Sequence, residues 1–157
     1  MDLILWRHAD ATADGEDGDD LSRPLTARGA RQAERMAGWL NERLADSTRI
    51  LVSPALRCRQ TAKALGRRSS IVAGLAPGAS AETLLQLAGW PDAAGSVLVV
   101  GHQPTLGLVA SLVLEGIARS RSIRKAAVWW FRQRPRDADS QGAWHAVLHA
   151  VQSPEDL

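Results

Sequence analysis

Two short runs in this sequence are apolar at every position, LILW at residues 3–6 and VLVV at residues 97–100. A strand that is apolar on both faces must be covered on both faces, which is typical of a parallel sheet between layers of helices. Segments with helical periodicity alternate with the strands along the chain. We therefore predict an α/β fold with a mostly parallel sheet and helices on both faces.

The other elements are predicted from periodicity and capping signals. Short strands are predicted at residues 50–52 and 71–72. The helices are predicted to run from an N-cap at Thr26 to about Ala45, from an N-cap at Ser53 with Pro54 in the first position, from an N-cap at Ser80 to about Gly89, and from Pro104 to about Leu114. KAAVWWF and AWHAVLHAV, separated by the turn-forming RQRPRDADSQG, predict an antiparallel hairpin at the sheet edge near the C-terminus.

Polar side chains follow three of the predicted strands. Arg7 and His8 come directly after the first strand, and His102 follows the VLVV strand. Arg57 lies in the first turn of the helix after the second strand, and its side chain should lean back toward the N-terminus of that helix. Because ligands of such sheets bind beyond the carboxyl ends of the strands, we expect the four side chains to converge at one edge.

Two arginines beside two histidines are typical of an anion site. A guanidinium group is always charged and forks well onto phosphate oxygens, and the helix N-terminus after Ser53 would add backbone donors. A histidine in such a pocket can attack phosphorus and carry it as phosphohistidine. The second histidine, when protonated, would donate to a phosphoryl oxygen. Because the arginines supply the positive charge, we expect no metal and no cofactor.

Five motifs in order resemble those of the histidine phosphatase superfamily, in particular its short, SixA-type phosphohistidine phosphatases. They are LWRHADA, RPLTARG, LVSPALRCRQT, GLAPGAS and VVGHQP. The resemblance covers nearly the whole chain. It implies a three-layer phosphoglycerate mutase-like fold and one histidine phosphatase domain over residues 1–157.

The resemblance also implies a role for each matching residue. His8 would be the nucleophile, with Arg7, Arg57 and His102 completing the phosphate pocket. Arg23 in RPLTARG would lie at the pocket rim. Ala9 departs from the family pattern, where glycine commonly follows the Arg-His pair, and alanine is tolerated there only when φ is negative.

A general acid is harder to assign from the sequence. Glu82 and Asp10 are the two candidates, although an acid in a first helical turn such as Glu82 also suits the helix dipole. Cleavage of the P–N bond of phosphohistidine expels imidazole, which leaves more easily than an alkoxide. A phosphohistidine phosphatase therefore depends less on an acid than a phosphomonoesterase does.

The sequence does not favour a metal site or a cysteine nucleophile. His8, His102 and Asp10 could ligate zinc, but the neighbouring arginines would oppose a cation. The acidic loop DGEDGDD at residues 14–20 does not have the spacing of a calcium loop, and we expect it to be solvated and to lie over the pocket. Cys58 is not followed by the phosphate-binding loop of a cysteine phosphatase, so we expect it to face the core.

The predicted function is metal-independent phosphohydrolysis through a phosphohistidine on His8. The expected substrate is phosphohistidine on a partner protein, such as a phosphotransfer domain or a phosphocarrier. Two alternatives stay open: a small-molecule phosphomonoesterase of the same fold, and a non-catalytic phosphate-binding module. Mutase activity is disfavoured because the chain has no long insertion to enclose a bisphosphorylated intermediate.

Composition limits the setting in which the protein acts. A single cysteine and the lack of a signal sequence or a long apolar run favour a cytoplasmic protein with no membrane association. The late basic residues lack a nucleic-acid-binding signature, so we expect no nucleic acid partner. Nothing in the sequence requires an oligomer, and we expect a monomer.

Overall fold

The computed structural model describes residues 1–135 and 144–157 of the chain. Within these residues the chain forms six strands and four α-helices that largely alternate. In chain order they are β1 (Asp2–Arg7), α1 (Ala27–Asn41), β2 (Arg49–Val52), α2 (Leu56–Lys63), β3 (Ser70–Ile71), α3 (Ala81–Ala88), β4 (Ser96–Gly101), α4 (Thr105–Glu115), β5 (Val128–Pro135) and β6 (Trp144–Gln152).

All six strands belong to one sheet, in the order β3-β2-β4-β1-β5-β6. The first four are parallel to one another, whereas β5 is antiparallel to β1 and β6 is antiparallel to β5. The predicted fold class is confirmed, including the antiparallel edge near the C-terminus. The sheet therefore brings the carboxyl ends of β1, β2 and β4 to one edge. This is the edge at which the two arginines and two histidines were predicted to converge.

Helices cover both faces of the sheet, as predicted. Side chains alternate along β1, so that Ile4 and Trp6 pack under α1 and α2, while Leu3 and Leu5 pack under α3 and α4. All four of these side chains are fully buried. The runs LILW and VLVV are apolar at every position because each face of the sheet contributes to a separate core layer.

The hairpin differs from its prediction in one strand end. β5 continues through Arg132 to Pro135, whereas turn residues were predicted from Arg132 onward. The strand continues because Arg132 opposes Asp2 of β1, and its Nη2 donates to Asp2 Oδ2 at 2.8 Å. The rest of the predicted turn, residues 136–142, lies outside the described residues.

The ends of α1 show one confirmed signal and one wrong boundary. Thr26 is the N-cap, and its side chain accepts a hydrogen bond from the Gly29 amide at 3.0 Å. The helix ends at Asn41 rather than near Ala45. It closes in tight turns in which the amides of both Arg43 and Leu44 donate to the Leu40 carbonyl.

The predicted start of α2 is wrong. The N-cap is Ala55 and the helix begins at Leu56, so Ser53 is not the cap and Pro54 does not occupy the first helical position. Ser53 Oγ lies 2.7 Å from the Nε2 atom of His102 and 3.3 Å from the Ala55 amide nitrogen. The Ser53 side chain faces the site because its hydroxyl group is hydrogen-bonded to the His102 ring.

Gly29, the last residue of RPLTARG, allows α1 to approach the segment after β1. A Cβ atom at Gly29 would lie 1.9 Å from the carbonyl oxygen of Asp10. Gly107 in α4 has the same relation to the carbonyl oxygen of Arg121, also at 1.9 Å. These two contacts are with backbone atoms, which cannot move aside as a flexible side chain can. The two glycines therefore hold helices close to the loops that border the carboxyl edge of the sheet.

A pair of glycine substitutions in α1 tests this close approach. We expect Gly29→Ala to lower the free energy of unfolding by about 2 kcal/mol or more, because the new methyl group collides with backbone. Gly38→Ala in the same helix meets nothing within 4 Å and should raise it by about 0.5–1 kcal/mol through helix propensity. Urea unfolding gives the free energy of unfolding of both variants. Equal changes in the two variants would show that Gly29 is not needed for the close approach of α1 to the Asp10 carbonyl.

Candidate functional site

His8 lies directly after β1, with only 6% of its surface exposed. Its amide donates to the Gly101 carbonyl at 3.1 Å, and its own carbonyl accepts from the Ala126 amide at 3.1 Å. The ring atom Nδ1 lies 2.8 Å from the carbonyl oxygen of Ala9. Because a carbonyl oxygen can only accept, Nδ1 carries the proton. The other ring nitrogen, Nε2, therefore keeps a free lone pair.

Ala9 fits where the family pattern commonly has glycine. Ala9 does not adopt a positive φ, so the backbone conformation here is one that alanine tolerates. Its side chain is fully buried, and its amide donates to Thr61 Oγ1 at 3.0 Å. Thr61 in turn donates to the Arg57 carbonyl at 2.7 Å. The turn after His8 is thus tied to α2.

His102 follows β4 and faces His8, with 5% of its surface exposed. The two ring centroids are 5.4 Å apart. Ser53 Oγ lies 2.7 Å from Nε2, and the Sγ atom of Cys58 lies 3.5 Å from the same nitrogen. Cys58 is fully buried in the core, as predicted, and its Sγ atom lies against the His102 ring. These contacts fix the orientation of the ring.

Two arginines keep a buried N–H group without a partner. Arg57 directs Nη1 to the Asp20 carbonyl at 2.7 Å and Nη2 to Asp20 Oδ2 at 3.1 Å. Arg7 directs Nη1 to the Ile123 carbonyl at 2.8 Å. In the described part of the chain, the Nε atoms of both arginines are buried and have no hydrogen-bond partner. Both atoms are closed to solvent, so the two guanidinium groups act on a nearby anion through their charge.

Arg23 lies on the outer side of this group. Its Nε donates to the Thr12 carbonyl at 2.6 Å, and its Nη1 contacts Asp20 Oδ1 at 3.1 Å. Asp20 therefore bridges Arg23 and Arg57 through its two carboxylate oxygens. The acidic loop reaches the pocket, as expected, through Asp20, which contacts Arg57 with both its carboxylate and its backbone carbonyl.

Burial and the neighbouring arginines keep both histidines neutral. Burial, followed by the charges of Arg57 and Arg7, lowers the pKa of His8 to about 4, although the bond to the Ala9 carbonyl opposes the shift. Burial, followed by the charge of Arg57, lowers the pKa of His102 to about 3. His102 is therefore neutral at neutral pH when no anion is nearby, and the predicted donation to a phosphoryl oxygen requires that an anion first raise the pKa of this ring.

Comparison with known proteins agrees with this geometry. Residues 3–78 match the family described as the histidine phosphatase superfamily (branch 1). The phosphohistidine phosphatase SixA of Escherichia coli (strain K12) is 34% identical over 127 residues, which cover 71% of this chain and 74% of SixA. The chain belongs to the histidine phosphatase superfamily.

Solved structures extend the similarity of this histidine phosphatase to nearly its whole length. A tungstate complex of the protein histidine phosphatase SixA has a TM-score of 0.75 at 26% identity and covers 99% of each chain. A SixA-type protein from Agrobacterium tumefaciens has a TM-score of 0.77 at 26% identity, covering 98% of this chain and 97% of that one. Membership of this superfamily identifies the chain as a phosphatase.

The two candidate acids of this phosphatase occupy different surroundings. Asp10 accepts from Lys125 Nζ at 2.8 Å and from Thr26 Oγ1 at 2.8 Å. The hydrogen bonds from Lys125 and Thr26 hold the pKa of Asp10 below its usual value, so this carboxylate is a weak proton donor. Glu82 is exposed in the first turn of α3. Neither side chain is hydrogen-bonded to His8 or His102 in the described residues.

Two other kinds of site are not found in the part of the chain that the structure describes. Within residues 1–135 and 144–157, no group of three or more histidine, cysteine, aspartate or glutamate side chains is placed to hold a metal ion. Over the same residues, no helix combines the length and the apolar character needed to cross a bilayer.

Sequence reasoning missed three side chains of the site. Ser53 was interpreted as a helix cap, Thr61 was not singled out, and Asp20 was treated only as part of an acidic loop. The sequence carries a signal for Asp20, because it precedes Arg23 by three residues and so can pair with it across one turn. The contacts of Ser53 and Thr61 join segments distant in the chain, and no local pattern predicts them.

The lowered pKa values predict a loss of stability in mild acid. Between pH 6.5 and the folded pKa, the unfolded chain binds a proton on each histidine and the folded chain does not. Stability should therefore be full above pH 6.5 and should fall as the pH drops, by about 2 kcal/mol per histidine at pH 5. Urea unfolding at pH 7.5 and pH 5 measures this, with His8→Gln expected to remove about half of the difference. Equal stability at both pH values would contradict it.

The contact between Ser53 and His102 predicts a catalytic effect of the hydroxyl. We expect Ser53→Ala to lower kcat about tenfold, because the His102 ring loses the partner that orients it. Ser69→Ala, an exposed serine in the segment before β3, is the matched control and should be unchanged. Steady-state hydrolysis of an aryl phosphate measures both variants, and an unchanged kcat in Ser53→Ala would show that the contact does not matter to the reaction.

Proposed function

We propose that this protein hydrolyses phosphohistidine on a partner protein through a covalent phosphohistidine on its own His8. The observation that carries the proposal is a neutral, buried imidazole whose Nδ1 proton is held by the Ala9 carbonyl, so that Nε2 is free to attack. The unpartnered Nε–H groups of Arg7 and Arg57 lie in the same group of side chains. The name of the E. coli relative supports the choice of phosphohistidine as substrate.

The first step transfers the phosphoryl group to the enzyme. The Nε2 lone pair of His8 attacks phosphorus, and the bond from phosphorus to the substrate imidazole nitrogen breaks. The bonding electrons leave with that nitrogen, which takes a proton from water. In the second step a water oxygen attacks phosphorus, the P–Nε2 bond breaks, and orthophosphate departs. The water proton leaves to solvent or to the phosphate itself.

The surrounding groups stabilise charge on the transferred phosphoryl group. The fixed charges of Arg7 and Arg57 offset the negative charge that builds up on its equatorial oxygens. His102 contributes through Nδ1, because Nε2 is engaged by Ser53. When the dianionic phosphoryl group is close, it raises the pKa of His102 and favours a proton on that ring.

The environment of the candidate acids supports a leaving group that needs little protonation. Asp10 is held ionised by Lys125 and Thr26, and Glu82 makes no bond to the site histidines. Imidazole is a better leaving group than an alkoxide, so P–N cleavage is the reaction that these surroundings support. Small-molecule phosphomonoesterase activity would need an acid, and Glu82 is the residue to test if that activity is found.

Other expectations stay predictions. These are the identity of the partner as a phosphotransfer domain or a phosphocarrier, independence from metals, a monomeric state, a cytoplasmic location, no nucleic acid partner, and a single histidine phosphatase domain over residues 1–157.

A comparison of substrates tests the proposal. We expect rapid phosphate release from a chemically phosphorylated histidine protein, slow release from an alkyl phosphate, and a loss of at least about 1000-fold in His8→Ala because the nucleophile is gone. His149→Ala removes an exposed histidine of β6 and should retain activity. Rapid quenching should trap label on His8 that is stable to base and labile to acid.

Each contrary outcome has a definite meaning. Faster turnover of the alkyl ester than of phosphohistidine would assign the protein to phosphomonoesterases. Full activity in His8→Ala would refute the covalent mechanism. Tight phosphate binding with no turnover of any substrate would support the non-catalytic alternative.

A further inference from the structure

The carboxylate of Asp20 lies between two arginines of the anion site, although it carries the same sign of charge as the expected ligand. It contacts Arg57 Nη2 and Arg23 Nη1, each at 3.1 Å, and its backbone carbonyl accepts from Arg57 Nη1 at 2.7 Å. In the described residues no other carboxylate is bonded to either arginine. The Arg57 side chain is 5% exposed, whereas that of Asp20 is 55% exposed. The carboxylate therefore lies on the solvent side of the guanidinium group, toward the pocket mouth.

Asp20 engages both terminal nitrogens of the Arg57 guanidinium group, and the Nε atom of Arg57 is closed to solvent. The carboxylate thus lies between Arg57 and the solvent from which a substrate arrives. A leaving group that extends from the site toward solvent therefore passes close to Asp20. Hydrogen bonding to Arg23 leads the causes that hold the pKa of Asp20 below its usual value, so the carboxylate is charged at neutral pH.

With a dianionic phosphoryl group bound, the formal charges of these groups cancel when Asp20 is counted. Arg7, Arg23 and Arg57 carry three positive charges, and both histidines are neutral. A dianionic phosphoryl group leaves one positive charge, and Asp20 removes it. Without Asp20 the mouth would attract a further anionic group on the leaving side of the substrate. Small phosphorylated metabolites commonly carry such a carboxylate, whereas the imidazole of phosphohistidine carries none.

We propose that Asp20 is a specificity-determining residue that discriminates against substrates whose leaving group is anionic. This inference rests on the proposed function. The negative charge of Asp20 would make the site favour an imidazole leaving group over the anionic leaving group of a small metabolite. Asp20 acts through its charge at the pocket mouth and does not take part in bond breaking. Two unit charges about 10 Å apart at an effective dielectric constant of about 20 change an equilibrium by roughly tenfold, which is enough to set a preference.

A charge series of matched substrates tests the proposal. Phenyl phosphate is compared with its para-carboxyl and para-trimethylammonium derivatives, which carry the added charge at the same place. Asp20→Asn should raise kcat/KM for the carboxyl derivative relative to phenyl phosphate by about 5- to 20-fold, and should lower the relative value for the trimethylammonium derivative. Asp20→Glu, which keeps the charge, should retain the wild-type ratios.

Asp17→Asn is the control variant. It makes the same change of charge in the same loop, at an exposed residue whose positive φ of 54° asparagine readily adopts. We expect it to leave the substrate ratios unchanged. Equal ratios in wild type and Asp20→Asn would overturn the proposal, and so would a shift of the same size in Asp17→Asn, since that would make the effect one of net charge alone. Thermal midpoints confirm that the variants are folded.

Binding of the matching phenylphosphonates separates this inference from the proposed function. Phosphonates are not hydrolysed, so calorimetry reports the charge preference without turnover. A preference that depends on Asp20 in a protein that cleaves no substrate would refute the proposed function and retain this inference. Hydrolysis of phosphohistidine with no dependence on Asp20 in either assay would refute this inference alone.

Discussion

The site depends on the parallel register of β1, β4 and β2. Arg7 is opposite Gly101, and Val52 is opposite Val100, so the three strands end at the same level of the sheet. The next residues, among them His8 and Ser53, continue the ladder for one more bond, to the carbonyls of Gly101 and Val100 respectively. A shift of one residue in any of these pairings would turn a site side chain to the other face and separate the two histidines.

Electrostatics in this pocket follow from burial. Two imidazoles taken out of water among guanidinium groups lose their tendency to bind protons. The Nε2 lone pair of His8 therefore stays available at neutral pH, and His102 depends on a nearby anion for its charge. The terminal nitrogens of both arginines have oxygen partners, Asp20 for Arg57 and the Ile123 carbonyl for Arg7. Their Nε atoms are buried and have no partner in the described residues.

The fold was predictable to a large extent, and the site only in part. Apolar runs and caps such as Thr26 and Ser80 are local signals, so they placed strands and most helix starts correctly. The helix cap assigned to Ser53 was wrong because a distant histidine takes the same hydroxyl. The pairing of Asp20 with Arg23 has a local signal in their spacing, whereas its contact with Arg57 could not be derived, since it depends on how a loop without regular periodicity returns to α2.

The position of Cys58 has a consequence for the chemistry of oxidation. Its thiol is fully buried beneath His102, and burial raises its pKa to about 12, so almost no thiolate exists at neutral pH. Peroxide and alkylating reagents act on thiolates, and this is the only thiol in the chain. A phosphatase that transfers the phosphoryl group through an imidazole, as we propose for His8, is therefore not inactivated by peroxide at a cysteine.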